Sequence, residues 1–146
     1  MKQFFYILLI VTAIGCDHNN SEEKVTVNPL EGTWQCKFLS EGMSETPSSE
    51  IAAMSVCFSD DTIIYIQDET PVMKGTFKIN ETNSPKQLDI LYEDGDEKIQ
   101  IPAIFEINQL TLKLCHPQDE GGNRPTNFEK SKENCLAIFE KVEDTY

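Results

Sequence analysis

The sequence predicts an all-β domain, an antiparallel meander of eight strands closing into an up-and-down β-barrel. Three observations carry that expectation. From Pro29 onward the hydrophobic segments are short and alternate in polarity, they are separated by turn residues, and no long stretch keeps a helical period. Strands joined by hairpins at roughly even spacing favour closure, because closure removes the unpaired edges of an open sheet.

The first strand, Thr33 to Leu39, sets Trp34, Cys36 and Phe38 on one face. In the second, Ile51 to Phe58, the inward set is Met54, Val56 and Phe58, and Ser59, Asp60 and Asp61 then turn the chain. Thr62 to Gln67 is apolar on both faces, which leaves its inward side open. Met73 to Ile79 alternates cleanly, with Met73, Gly75, Phe77 and Ile79 opposed by Lys74, Thr76 and Lys78. After a loop from Asn80 to Lys86, Leu88, Ile90 and Tyr92 mark the fifth strand, and the acidic run Glu93 to Glu97 carries the Asp-Gly preference of tight hairpins.

Lys98 to Ile107 presents Ile99, Ile101, Ala103, Phe105 and Ile107 together. Pro102 on its other face lacks an N–H for a ladder, which predicts a bulge or an edge. Asn108 and Gln109 turn into Leu110, Leu112 and Leu114, and a long loop from His116 to Asn134 precedes the last strand, Cys135 to Val142.

The length of 146 residues and a hydrophobic content of 39% suit one core. Against 25 acidic side chains stand 12 basic ones, a formal charge of -13. Phosphate binding relies on clustered Lys and Arg, so this balance excludes nucleic acid as a partner and disfavours anionic membrane surfaces.

Phe4 to Ile14 is an apolar run behind Lys2. As a helix it would cover roughly 17 Å at about 1.5 Å per residue, short of the roughly 30 Å hydrocarbon core, so it reads as a secretory signal. Its Ala13-Ile14-Gly15-Cys16 ending resembles the lipobox of bacterial lipoproteins, whose Cys becomes the lipidated first residue. An ordinary cleaved signal and an uncleaved anchor are the alternatives. The expected organisation is a signal peptide over 1–15, a polar tether over 16–28 and a barrel domain over 29–146, in a membrane-anchored protein of the cell envelope. Removing residues 1–15 takes away Lys2 and no acid, leaving 11 basic and 25 acidic side chains and a charge of -14. Acyl chains contribute roughly 0.8 kcal/mol per buried CH₂, so attachment through Cys16 needs no basic surface.

Leu30-Glu31-Gly32-Thr33-Trp34 resembles the opening strand of lipocalin-like barrels. In order along the chain, that block, Lys74 to Phe77, Pro85 to Asp89, Ile104 to Glu106, Leu110 to Cys115 and Arg124 to Phe128 are similar to a small lipocalin-like domain family abundant in Planctomycetes. The resemblance implies a lipocalin-like barrel, often exported, and implies no established activity. It also implies that Trp34 closes one barrel end beneath a basic side chain, and Arg124 is the candidate for that cover.

With Cys16 assigned to lipid, Cys36, Cys57, Cys115 and Cys135 remain, and an exported protein can keep thiols oxidised. Cys115 with Cys135, at the neck of the long loop, and Cys36 with Cys57, on neighbouring strands, are the candidate disulfides. A bond at the loop neck would contribute roughly 3 kcal/mol. Two bonds, one bond or none remain open, since Cys115 also suits a buried thiol.

Neither Cys115 with His116 nor Asp94, Asp96 and Glu97 has the spacing of a metal site, His18 falls in the tether, and no catalytic motif or cofactor loop is present. No metal, cofactor or catalytic residue is assigned, and the chain reads as a non-enzyme. The candidate ligand-lining set is Phe38, Met54, Phe58, Met73, Gly75, Phe77, Tyr92 and Phe105, since an eight-stranded barrel either fills with side chains or holds one small ligand. The expected function is a lipid-anchored binding module for a small hydrophobic ligand, with adaptable space near Met54, Met73 and Gly75. The alternative is a solid barrel whose acidic outer surface binds a basic protein.

Overall fold

The computed structural model describes residues 27–143; the signal and tether expectations, Cys16 included, lie outside them. The chain forms β1 (Gly32–Glu41), a two-residue β2 (Ser44–Glu45), the short helix α1 (Ser48–Ile51), β3 (Met54–Ser59), β4 (Thr62–Gln67), β5 (Thr70–Asn80), β6 (Lys86–Asp94), β7 (Glu97–Asn108), β8 (Thr111–Pro117) and β9 (Asn134–Lys141). Every neighbouring pair is antiparallel, and β1 pairs with β9, so eight strands close into an up-and-down barrel of the lipocalin-like kind while β2 flanks β1 as a flap. Closure leaves the interior as the place to hide apolar side chains. Leu30, Trp34, Val56, Phe58, Ile63, Leu88, Ile90, Phe105, Leu112 and Leu114 are almost wholly buried there. Phe58 meets Phe77 edge-on at 5.2 Å between ring centroids.

Local chemistry explains where the elements differ from the period-two reading. Residues 51–53 do not extend β3: Ile51 ends α1, and Ala52 and Ala53 donate back to Ser48 and Glu50. On β4, apolar on both faces, Ile63 and Tyr65 turn inward. Pro102 causes no bulge; its pairing with Asp89 on β6 is regular, and it lies on the half of β7 that extends past the pairing with β8. The loop between β6 and β7 is the pair Gly95 and Asp96, and Gly95 takes φ +62° at the first loop position, as a type II′ turn requires of glycine. Leu110, expected inside, falls in the turn after Gln109 (φ 54°) and is 45% exposed.

Two register slips change a face: one between β4 and β5 leaves Val72 as an extra residue between Met73 and Pro71, and the other lies between β1 and β9. The β1–β9 register slips between Cys36 and Phe38, so Lys37 is an extra residue and the alternation reverses beyond it. Trp34 and Cys36 point inward, and so does Leu39, whereas Phe38 turns to the outer wall. There Phe38 and Phe128 pack against Ile104, Cys115 and Leu136, a second small core under the long loop after β8. Lys130 of that loop stands 5.1 Å from the Phe38 ring centroid and pairs with Glu45.

Candidate functional site

The two barrel ends are built differently. At one end Asn28 receives the Leu30 amide at 3.0 Å, Glu31 accepts the Asp60 amide at 3.2 Å, and the turn they stabilise pushes Leu30 into the core. Trp34, 1% exposed, donates its indole N–H to the Leu30 carbonyl at 2.7 Å. This end is closed. An open hollow of about 640 Å³ beside Val27–Pro29 and Glu81 adjoins the point where the chain enters from outside the described residues.

The expected cover of Trp34 is corrected. Lys141, not Arg124, stands over the indole, 5.3 Å from its centroid, because Lys141 is the cross-strand partner of Trp34 on β9. Arg124 belongs to a loop that leaves from the opposite end. It runs along the outer wall, pairs with Asp89, and donates to the carbonyls of Ala103 at 2.6 Å and Leu88 at 3.4 Å. Arg124 therefore staples β6 to β7 where β8 no longer covers β7. Arg124→Ala is expected to cost about 1–3 kcal/mol, the penalty for leaving partly buried carbonyls without a donor, and to lower the melting temperature by several degrees. Thermal unfolding followed by circular dichroism checks it.

The candidate disulfides are also corrected by register and alternation. Cys57 pairs with Thr33 on the outer face, whereas Cys36 lies three residues further along β1 and points inward. Cys115 sits opposite Leu136 and shares the outer core with it, which turns the next residue, Cys135, to the other face. Side chains on opposite faces of a sheet cannot bridge, and all four thiols are free. Burial raises the pKa of Cys36 and Cys135 and pushes Cys115 up to about 11. Cys57 is half-buried on the outer face and the other three are buried, so Cys57 is expected to react first with a thiol reagent in the native state and the others after unfolding, as counted by mass spectrometry.

The opposite end is open. A cavity of about 100 Å³ lies inside the barrel there, lined by Leu39, Met54, Tyr65, Leu114, Ala137 and Phe139, with Cys36 and His116 among its polar groups and Val72 at its edge. The His116 Nδ1 stands 2.8 Å from the Pro117 carbonyl, so it carries the proton and leaves Nε2 as an acceptor. Burial lowers the His116 pKa against the opposing pull of the Pro117 carbonyl and the Glu41 charge. The unfolded chain takes up that proton in the ordinary histidine range and the fold resists it, so this group withdraws stability as pH falls through about 6.5. Tyr65 stands 6.0 Å from Tyr92, centroid to centroid, and burial raises the pKa of both phenols; the Tyr92 hydroxyl has no hydrogen-bond partner among the described residues.

Of the ligand-lining set, the structure brings only Met54 to this cavity. Phe58, Phe77, Tyr92 and Phe105 fill the interior beneath it as core, and Phe38 faces the outer wall. Met73 lies at the open end but is 48% exposed, because β6 pairs with β5 only from Gly75 onward. Gly75 supplies no spare space: a Cβ there would stand 2.5 Å from the Leu91 carbonyl and 2.7 Å from the Tyr92 ring. The residues missed, Leu39, Tyr65, His116, Ala137 and Phe139, were hidden by the β1 bulge, the two-faced β4 and a β8 that runs on to Pro117. The alternation of β9, continued inward from Phe139 through Ala137, was the signal that could have found two of them.

Among the described residues no three metal-ligating side chains come together, and no helix is long and apolar enough to cross a membrane. No protein-family model matches the chain, and no curated protein or solved structure is detectably similar to it.

Proposed function

We propose that this protein is a non-catalytic binding module of the cell envelope, anchored to a membrane by lipid on Cys16 and binding a small apolar group at the open end of its barrel. The observation that carries the reading is the apolar cavity of about 100 Å³ at the end opposite the one where the chain enters. Its size limits the ligand. A cavity of about 150 Å³ lined by aliphatic side chains holds benzene, so this one takes a group of about four carbons. A long acyl chain has no place below it, since Trp34, Phe58, Phe77 and Phe105 occupy the rest of the interior. The anchor and the cavity are compatible, because the described chain begins at the closed end and leaves the cavity end free.

Binding of 2-methylpropan-1-ol to the full chain, followed by shifts of the methyl resonances of Met54 and Leu114, tests the reading. Saturable shifts confined to cavity residues are expected. Shifts spread evenly over surface methyls, or none, would rule out a binding cavity. The same filled interior favours a second reading, in which the solid barrel serves a protein partner through its acidic exterior.

A further inference from the structure

Ion pairs with lysine occur over the whole barrel: Glu81 with Lys86, Glu106 with Lys113 and Glu140 with Lys37 toward the closed end and along the walls, and Glu93 with Lys98 and Glu45 with Lys130 at the open end. Among the described residues, carboxylates without an ion pair also stand at both ends, Glu31, Asp60 and Asp61 at the closed one, but the larger group is at the open end. The open end gathers Glu41 from β1, Asp68 and Glu69 from the β4–β5 turn, and Asp94, Asp96 and Glu97 from the β6–β7 turn. Among the described residues none of these six forms an ion pair. They surround an apolar entrance where Val72 is 62% and Met73 is 48% exposed, and the cavity opens beneath Val72. The long loop does not cover it, being held to the outer wall by Phe128 and Arg124.

We infer that the open end docks a cationic peptide segment that inserts one short branched aliphatic side chain, Leu, Ile or Val, into the cavity while its Lys or Arg side chains lie against the ring of carboxylates. This deepens the binding-module reading and rests on it. A leucine side chain has the four carbons that the cavity takes. Burying it removes apolar surface from water, and the thioethers of Met54 and Met73 adapt to it at the entrance. The unpaired carboxylates supply long-range attraction for positive charge and repel an anionic fatty acid. A neutral hydrophobe would use the cavity but not the ring.

The test is calorimetric titration of the full chain, held in phosphatidylcholine nanodiscs, with the peptides Lys-Lys-Leu-Lys-Lys, Lys-Lys-Ala-Lys-Lys and Glu-Glu-Leu-Glu-Glu at about 50 mM and about 300 mM salt. The leucine peptide is expected to bind, to weaken about fivefold or more at the higher salt, and to exceed the alanine peptide by about tenfold or more. The acidic peptide is expected not to bind. Ala137→Leu, which fills the cavity, is expected to abolish the leucine preference, and Asp68→Asn with Glu69→Gln, on an exposed turn, to weaken binding of both cationic peptides alike. Equal binding of the leucine and alanine peptides would overturn the proposal as mere surface electrostatics. Saturable entry of 2-methylpropan-1-ol without peptide binding would overturn the partner class and leave the cavity reading standing, whereas failure of both ligands would remove both.

Discussion

Trp34→Ala is expected to destabilise the domain by about 3–5 kcal/mol, enough to leave many small domains largely unfolded. The side chain is the largest in the core and 1% exposed, so truncation removes its transfer free energy and leaves a void between Leu30 and Lys141. It also strips the donor from the Leu30 carbonyl, which orders the turn that plugs the closed end. Trp34→Phe separates the two contributions: it keeps most of the apolar contact and loses the hydrogen bond, for an expected cost nearer 1–2 kcal/mol. Lys141→Met keeps most of the aliphatic stem and removes the charge over the ring, a cation–π contact worth about 0.5–2 kcal/mol depending on desolvation. Urea unfolding of the three variants would be compared at one pH. A Trp34→Ala domain within 1 kcal/mol of the parent, on the scale of ordinary surface substitutions, would show that the closed end does not depend on this ring.

The barrel itself was legible because hydrophobic alternation and turn residues are local signals. Seven of the eight barrel strands appear within a few residues of where alternation places them, and the eighth, β3, begins after the α1 turn rather than at Ile51. What escaped depends on a single inserted residue or on register between distant strands. Nothing in Cys36-Lys37-Phe38 says that Lys37 is surplus, yet that one residue moves Phe38 out of the barrel and Leu39 into the cavity wall. The cysteine pairs fail for the same reason, since proximity in the strand order says nothing about face until the register is known. Lys141 was overlooked as the cover of Trp34 because their pairing joins the first strand to the last, across 107 positions of sequence. The site suffers most, because a cavity is the space left over by every register at once. The acidic residues of the open end were visible in the sequence as turns, and only topology shows that three such turns share one end.

Gly75→Ala is expected to cost about 1–3 kcal/mol, although replacing glycine in a strand ordinarily gains about 0.5–1 kcal/mol of chain entropy. Its backbone lies outside the left-handed region, so the objection to a side chain is steric. The added methyl would meet the Leu91 carbonyl oxygen and the Tyr92 ring, 2.5 and 2.7 Å away, and the carbonyl belongs to the paired backbone of β6 and cannot swing aside. Tyr92→Ala in the same chain removes the ring but not the carbonyl, so it is expected to recover only part of the loss, measured as the coupling in a double-mutant cycle. The position matters beyond stability. Gly75 with Tyr92 is the last paired step between β5 and β6 before the strands part, and everything beyond it on β5, Met73 and Val72 included, is exposed at the entrance. Forcing the strands apart there should enlarge the opening, so Gly75→Ala is expected to raise the off-rate of any cavity ligand as well as lowering stability. Relaxation-dispersion NMR of the Met54 methyl, which lines the cavity, in the presence of 2-methylpropan-1-ol reads that rate directly. An unchanged or stabilised Gly75→Ala domain would mean that β5 and β6 do not approach so closely, and the entrance would then have to be defined by something other than the point where they separate.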